Sequence, residues 1–352
     1  MDLRVDTATA KRLAGVRALG RERVRPLGLE ADRLGRPIPA EHPFFQHLVE
    51  LGLGRTRWTG DPKSERDGPG NARGNLCVVE ELSYWDRGVA ASLPGPGLGE
   101  PPILSMGTPE QQERFLGRFR EPDRPRWGSF AMTEPGAGSD VARIRASARQ
   151  AGDEWVLNGD KSFAANASRA DWIVVFATLD PSLGRDGHRA FVVERGTPGL
   201  GDFKIERKMG LKAYESTSFT LRDCRVPAAN LLGGDGRTAR RAGFKGALST
   251  FNATRPTIAA MAVGMGRAAL DAALDFASER GRLGDPRVRD RLERVRRRHG
   301  LGHEILGEVG GRGDHLVEKL FRDVKALDIV EGTGQIQRLV MARHLVGLPR
   351  DE

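Results

Sequence analysis

The stretch FAMTEPGAGSD, residues 130–140, combines residue types that can hold an anionic ligand. Two glycines, Gly136 and Gly138, lie one residue apart after an apolar run that predicts a strand. Glycine lets the main chain approach a ligand closely, and free N–H groups beside Ser139 can bind an anionic oxygen. A surface turn between two strands has the same composition, and the stretch alone favours that simpler interpretation.

A second stretch, DIVEGTGQIQ at residues 328–337, places a carboxylate where a helix should end. Glu331 lies between an apolar helical run and Gly332, a residue type at which helices end. A partly desolvated carboxylate can serve as a general base, because burial raises its pKa toward the working range. A solvated acid in a corner between two helices fits the stretch equally well.

The motif GMGRAA, residues 264–269, matches the G-x-G-x-x-A pattern of nicotinamide-dinucleotide sites. It lies inside one uninterrupted helical pattern, and no second strand–helix–strand unit follows it. Close packing of this helix against a neighbour is therefore the favoured interpretation.

Composition and charge limit the class of protein. Cys77 and Cys224 form no CxxC or Cys/His cluster, so we expect neither a disulfide framework nor a metal site. The net charge is +9, but Asp285, Asp290 and Glu293 interrupt the most basic stretch, which has no aromatic residue to stack on a base. We therefore expect no nucleic-acid partner.

No apolar run approaches the length that spans a bilayer, so we expect no membrane partner and a cytoplasmic location.

Hydrophobic periodicity predicts the elements that position these residues. Helical spacing over residues 1–125 predicts an N-terminal helical domain. Seven short alternating runs over residues 126–232 predict a central antiparallel β domain, with Gly152-Asp153 and Asn158-Gly159 as hairpin turns. Helical spacing returns over residues 233–352. Helices before and after a β domain give an α+β fold class.

Taken together, these stretches resemble the acyl-CoA dehydrogenase family in order and spacing over nearly the whole chain. The resemblance rests on FAMTEPGAGSD, LNGDKSFAANAS, KMGLKAYESTSFTLRDCRVP, FNATRP, ASERGRLG, VEKLFRD and DIVEGTGQIQRLVMAR. It implies FAD as the cofactor and a fold with an N-terminal helical domain, a central β domain and a C-terminal helical bundle. The function that it implies is α,β-dehydrogenation of an acyl-CoA thioester.

The resemblance also implies which residues bind FAD. They are Phe130, Met132, Thr133, Gly138 and Ser139 in the first motif, Phe163, Ala164 and Ala165 in the second, and Arg280, Arg282, Glu304, Thr333 and Gln335 in the C-terminal part. Arg280 and Arg282 match residues that reach the FAD pyrophosphate of a neighbouring subunit, which implies a homo-oligomer, a dimer or a tetramer. Glu304 lies where glutamine is common on the adenine side. Ala165 lies where a hydroxyl residue often bonds flavin N5, a bond that alanine cannot make.

By the same resemblance, Glu331 takes the α-proton while hydride passes from the β-carbon to flavin N5. Some relatives carry the base at the position of Thr254, which cannot do this work. The residues implied along the acyl-CoA are Ser139, Asn252, Arg255, Gly332 and Arg343. An electron-transfer flavoprotein or oxygen would reoxidise the flavin. Two alternatives stay open: a substrate carried by an acyl carrier protein, and a non-catalytic relative that binds flavin or acyl-CoA.

The C-terminal helical domain departs from the family pattern. Between ASERGRLG and GHEILGEVGGRGDH, family members carry a much longer segment, of which only an Arg-rich piece is present here. The shortened bundle would lack roughly two of four helices. Apolar faces of the remaining pair would then be uncovered unless a partner covers them.

Overall fold

Helices flank one sheet in the part of the chain that the computed structural model describes: residues 6–56, 58–60, 69–234 and 239–298, with Leu316, Lys319, Leu320 and Asp323. The helices on the N-terminal side are α1 (Thr7–Leu19), α2 (Arg25–Leu34), α3 (Pro43–Glu50), α4 (Pro69–Ser92), α5 (Glu100–Met106) and α6 (Pro109–Leu116). A π-helical turn, Gly20–Val24, joins α1 to α2. The helices on the C-terminal side are α7 (Ala239–Glu279) and α8 (Pro286–Arg298). The expected order of helices, sheet and helices is confirmed.

Local sequence explains where several helices begin and end. The Asp6 side chain accepts a hydrogen bond of 2.7 Å from the backbone N–H of Thr9, at the start of α1. Thr108 and Gln111 form a reciprocal capping box at the start of α6. Helix α2 ends at Gly35, whose φ of 67° suits glycine. Such caps satisfy backbone groups that the helix itself leaves without partners.

The sheet contains seven strands: β1 (Gly128–Ala131), β2 (Ser147–Ala151), β3 (Glu154–Ala165), β4 (Trp172–Thr178), β5 (His188–Glu194), β6 (Leu200–Ile205) and β7 (Ser216–Pro227). Their order is β1-β4-β2-β3-β7-β6, and β5 pairs with β4. Most pairs are antiparallel, as expected.

Two pairs correct the expectation of a purely antiparallel sheet. Strands β1 and β4 run parallel, with Phe130 opposite Val174, and β2 meets β4 in parallel at Ser147 and Thr178. Parallel neighbours need a long connection between them. The β2–β3 hairpin lies between β1 and β4 in the sequence and supplies that connection.

One of the two expected hairpin turns is confirmed and the other is wrong. Gly152-Asp153 joins β2 to β3, with Ala151 opposite Glu154. Asn158-Gly159 instead lies within β3, where the register against β7 shifts. Gly159 has φ of 146°, and a Cβ there would lie 2.6 Å from Ala146 Cα. The glycine therefore permits a close backbone approach rather than a reversal of the chain.

Strand β4 is buried along its whole length because each of its faces meets a different core. Its odd-numbered residues, such as Val175, belong to a core with Phe45 of α3. Its even-numbered residues, such as Phe176, belong to a core with Phe115 of α6. The N-terminal helices thus cover both faces of the sheet near β1.

Helix α7 packs closely along α4. A Cβ added to Gly264 would lie 2.1 Å from the Glu80 carbonyl oxygen, which confirms close packing as the role of this glycine in GMGRAA. Arg267 pairs with Glu81 at 2.8 Å. The Tyr84 hydroxyl donates a hydrogen bond of 2.9 Å to Asp271.

One stretch of α7, Thr257–Glu279, is long and apolar enough to cross a membrane by length and composition, contrary to the expectation that no apolar run approaches that length. The same stretch contains Arg267 and Asp271, both engaged by α4. Its buried Met265 and Ala268 form a small core with Leu320. Core helices of soluble proteins meet the same length and composition criteria, and 33% of the apolar window is buried in the structure.

A buried charge cluster lies where α4, the β domain and the C-terminal segment meet. Lys319 Nζ lies 2.6 Å from an Asp86 carboxylate oxygen and also donates to Asp323. Asp86 interrupts α4 with an extended conformation, and its side chain accepts a 2.8 Å hydrogen bond from the Val89 N–H. Asp323 accepts a hydrogen bond from the N–H of Leu211, in the loop between β6 and β7. We call Asp86, Lys319 and Asp323 the junction cluster.

Candidate functional site

The FAMTEPGAGSD stretch forms the end of β1 and the turn that follows it. Glu134 and Ala137 exchange two backbone hydrogen bonds of 3.1 Å each, so the two residues between them form a tight corner. Gly138 and Ser139 follow and are exposed. A Cβ added to Gly138 would meet no atom within 4 Å. The turn therefore presents bare backbone and a hydroxyl to open space.

Phe163 has an unusual conformation on strand β3. Its φ of 59° lies in the left-handed region, which bulky residues rarely adopt. The register of β3 against β7 shifts between Lys161 and Ala164, around this residue. The Phe163 side chain is 66% exposed. An aromatic ring held outward by a strained backbone suits a surface that a planar ligand covers.

Hydrogen bonds join these two segments. The Ser162 N–H donates to the Thr133 carbonyl oxygen at 2.9 Å. The Ser129 hydroxyl donates to the Ala165 carbonyl oxygen at 2.8 Å. Thr133 and Phe163 are therefore neighbours, so the structure brings together the two motifs that the resemblance assigned to FAD.

Three of the expected FAD-binding residues are covered by the protein itself. The Met132 side chain is buried in the core shared with α6, and the Ala164 side chain in the core shared with α3. Phe130 is half-buried, with its ring centroid 5.4 Å from that of Phe176. Met132 and Ala164 can therefore offer a ligand their backbone groups, but not their side chains, in this conformation.

A buried ion pair lies directly beneath the turn, at two residues that the sequence did not predict as part of the site. Lys161 Nζ lies 2.7 Å from Glu134 Oε1, and their side chains are 0% and 7% exposed. Burial lowers the pKa of Lys161 to about 8, although the nearby Glu134 carboxylate opposes that shift. Glu134 belongs to the first motif and Lys161 to the second, so the pair ties the motifs together.

These features fit a flavin dinucleotide. The open backbone at Gly138 and the exposed Ser139 hydroxyl suit an anionic oxygen such as a phosphate oxygen. The exposed Phe163 ring suits the face of a planar ring system. The described residues thus offer both kinds of surface that FAD requires, on adjacent segments.

Arg280 and Arg282 lie at the end of α7 and in the turn before α8, and both are exposed. The Arg280 guanidinium stacks on Phe276, 4.3 Å from the ring centroid. Arg282 pairs with Asp285 at 3.1 Å. Both contacts are local, so their expected action across a subunit interface stays a prediction.

The remaining expected site residues fall largely outside the described part. Asn252 and Arg255 lie in α7, and nothing beyond their helical backbone is described. The residues outside the described ranges are Glu304, Glu331, Gly332, Thr333, Gln335 and Arg343. Within those ranges, no group of three or more His, Cys, Asp or Glu side chains could hold a metal ion.

Family models match the chain in three successive regions. The N-terminal domain of acyl-CoA dehydrogenases matches residues 10–121, and the middle domain matches residues 129–224. The C-terminal domain matches in two pieces, residues 241–299 and 292–346. A match in two pieces agrees with the shortened segment that the sequence indicates.

Similar proteins cover nearly the whole chain. The acryloyl-CoA reductase (NADH) of Anaerotignum propionicum is 30% identical, over 90% of this chain and 91% of its own. An acyl-CoA dehydrogenase of Bacillus subtilis is 32% identical, over 87% of this chain and 91% of its own. The structure of butyryl-CoA dehydrogenase from Megasphaera elsdenii superposes with a TM-score of 0.85 at 28% identity, covering 98% of this chain and all of that one. The chain therefore belongs to the acyl-CoA dehydrogenase family of FAD-dependent oxidoreductases, which confirms the fold, the enzyme class and the cofactor that the sequence predicts.

Proposed function

We propose that this chain oxidises the Cα–Cβ bond of an acyl-CoA thioester with FAD as the acceptor and Glu331 as the base. The proposal rests on two adjacent surfaces, one that suits a planar ring and one that suits an anionic group. Phe163, whose side chain is exposed, directly follows Ser162, and the Ser162 N–H bonds the Thr133 carbonyl oxygen. The open turn at Gly138 and Ser139 follows Thr133 on the same segment. These surfaces support binding of a planar ring and an anionic group side by side.

In the proposed reaction, the Glu331 carboxylate takes the α-proton of the substrate. Bound FAD supplies a hydride acceptor for the β-carbon, so the substrate loses one proton and one hydride and becomes an α,β-unsaturated thioester. The backbone N–H of Glu331 donates to the thioester oxygen and stabilises the enolate-like charge as it forms. Ser139, Asn252, Arg255, Gly332 and Arg343 lie along the acyl-CoA in this proposal.

The experiment is anaerobic stopped-flow mixing of the FAD-loaded protein with a series of acyl-CoAs, followed by loss of the flavin absorbance band. Wild type should bleach with at least one chain length. Glu331→Gln keeps the size and polarity of the side chain but cannot accept the proton. It should bind FAD and acyl-CoA normally and bleach slower by a factor on the order of 10² or more.

Glu121→Gln is the matched control, because Glu121 is exposed on the loop before β1 and should not affect bleaching. Similar rates for wild type and Glu331→Gln would show that the assigned base is wrong. If wild type bleaches only with an acyl group attached to an acyl carrier protein, the substrate is the carrier-protein thioester and not the CoA thioester. A wild type that bleaches with no thioester would favour a non-catalytic relative.

We also propose a homo-oligomer in which Arg280 and Arg282 reach the FAD of a neighbouring subunit. Both side chains are exposed, as that role requires. Flavin content should fall when the oligomer dissociates on dilution. A monomer by light scattering that retains full FAD would contradict this proposal.

We further propose an electron-transfer flavoprotein as the electron acceptor, which a pull-down can check. We also propose a cytoplasmic location, which cell fractionation can check.

A further inference from the structure

Lys161 is a buried charged residue that the proposed mechanism does not use. Its partners on β7 show that it lies on the core face of β3. Lys161 is opposite the buried Phe219, just as Leu157 on the same strand is opposite the buried Cys224. A lysine at such a position is costly unless its ammonium group is paired and hydrogen-bonded.

Both acceptors of this ammonium group belong to residues 132–134, which lead from β1 into the open turn and which we call the turn segment. Nζ donates to Glu134 Oε1 at 2.7 Å and to the Met132 carbonyl oxygen at 3.1 Å. Met132 and Glu134 flank Thr133, whose own carbonyl accepts from the Ser162 N–H. Three consecutive residues of the turn segment are thus fixed by two consecutive residues of β3.

Glu134 extends this attachment to the far end of the loop. Its Oε2 accepts a hydrogen bond of 2.6 Å from the Arg145 N–H, and its Oε1 accepts one of 2.9 Å from the Ala146 N–H. The residues between Glu134 and Arg145 include the open turn with Gly138 and Ser139. The carboxylate therefore holds both ends of the loop that presents the anion-binding backbone.

The other wall of the site begins where Lys161 ends. The register shift that turns Phe163 outward starts immediately after Lys161. Because Lys161 is anchored to the turn segment on one side and leads into the Phe163 bulge on the other, it fixes the spacing between the two surfaces. Replacing a buried ion pair by apolar side chains need not lower stability, so such a pair is often explained by the geometry that it specifies.

We propose that Lys161, acting with Glu134, is the positioning residue of the flavin site, holding the 132–134 backbone and the Phe163 bulge at the spacing that the flavin ring requires. This inference rests on the proposed function, because FAD is the ligand whose site is positioned. It assigns no proton transfer or electron transfer to either side chain.

The test compares Lys161→Met with the neutral double variant Lys161→Met/Glu134→Gln, which leaves no buried charge unpaired. Lys204→Met is the matched control, since Lys204 lies in the same sheet but is 73% exposed. Two quantities are measured: the Kd for FAD of the apo full-length chain, and the visible circular dichroism of the bound flavin. We expect both altered variants to raise the Kd on the order of tenfold or more and to change the dichroism, and Lys204→Met to change neither.

A readout without FAD separates positioning from the proposed function. Amide hydrogen exchange of residues 133–146 in the apo protein should be faster by tenfold or more in both altered variants, while exchange within β4 stays as in wild type. Wild-type FAD affinity, flavin dichroism and amide exchange in a folded double variant would overturn the positioning role. A wild type that takes up no FAD would overturn the proposed function instead, whatever the exchange rates show.

Discussion

Lys161 beneath the turn and Lys319 in the junction cluster are both buried ammonium groups, yet their pKa values move in opposite directions. Burial lowers the pKa of Lys161 to about 8, against the opposing effect of Glu134. Burial also acts to lower the pKa of Lys319, but Asp86 and Asp323 together more than offset it and the pKa rises. One carboxylate does not compensate a buried ammonium group here, whereas two do.

The two regions also differ in what they join. The Lys161 pair connects β3 to the turn within the β domain. The junction cluster connects α4, the loop before β7 and the segment that holds Lys319 and Asp323. In the sequence, Asp323 precedes Glu331 by eight residues. We therefore expect disruption of the first region to affect mainly the ligand site and disruption of the second to affect mainly global stability.

The largest effect is expected for Lys319→Met. Removing the ammonium group that bridges Asp86 and Asp323 leaves two buried carboxylates without their direct ion pair, and breaking a buried pair in this way costs about 3–5 kcal/mol. The nearby guanidinium groups of Arg25 and Arg87 still attract both carboxylates in this variant. Urea unfolding of the apo protein measures the loss. Lys204→Met removes an exposed ion pair and should cost no more than about 1 kcal/mol. Equal losses for these two variants would contradict the special role of the junction cluster.

Asp323→Asn sharpens the comparison because it leaves Lys319 with one carboxylate, as Lys161 has. The amide oxygen can still accept the hydrogen bond from the Leu211 N–H. We expect the pKa of Lys319 to fall in this variant, toward the behaviour of Lys161. Titration of the Lys319 side chain by NMR checks this, and an unchanged pKa would show that the number of carboxylates does not decide the direction.

A smaller effect is expected in the pH dependence of stability. The pKa of Lys161 is about 8 in the folded chain, below its ordinary value of 10.5. Between these values the unfolded chain binds more protons, so this residue makes stability rise with pH across that window. Burial lowers the pKa of the neighbouring His188, which therefore stays neutral there. The unfolding free energy of wild type minus that of Lys161→Met should therefore rise by about 2 kcal/mol from pH 8 to pH 10.

Urea unfolding at several pH values measures that difference. Lys204→Met, at an exposed position of the same sheet, is measured alongside as the control. If the difference between wild type and Lys161→Met does not change with pH, the pKa of Lys161 is not lowered in the folded chain.

The sequence predicted those parts of the fold that depend on local pattern. Alternation identified the seven strand regions, and Gly152-Asp153 marked a true hairpin. Asn158-Gly159 is also a typical turn pair, but the tight approach of Ala146 determines its role, and no local pattern encodes that contact. The parallel pairing of β1 with β4 was missed for the same reason, since strand partners far apart in sequence leave no local signal.

The candidate site was predicted through its exposed residues and missed through its buried ones. Phe163, Gly138 and Ser139 were found by resemblance, and the structure places them on adjacent segments. Lys161 was missed because NGDKSF reads as a polar strand segment. A signal was present: alternation from Trp155 and Leu157 places Lys161 on the core face, where a lysine requires a buried partner.

The smallest effect is expected for Ser139→Ala, which removes one exposed hydroxyl and leaves the Lys161 pair intact. We expect a loss of about 0.5–1.5 kcal/mol in binding of FAD or acyl-CoA, with no change in unfolding. Ser182→Ala, at an exposed position before β5, is the control. Calorimetric titration measures both affinities. If neither affinity changes, the turn serves only the structure and its hydroxyl touches no ligand.

The most direct measurement is a crystal structure of the full chain reconstituted with FAD. We expect the flavin ring to lie between the 132–133 backbone and the Phe163 ring, with the turn at Gly138 and Ser139 against an anionic oxygen of the ligand. We also expect Lys161 still to bridge Glu134 and the Met132 carbonyl beneath the bound flavin. A flavin bound elsewhere on the chain, with Phe163 and the turn exposed to solvent, would contradict the proposed flavin site.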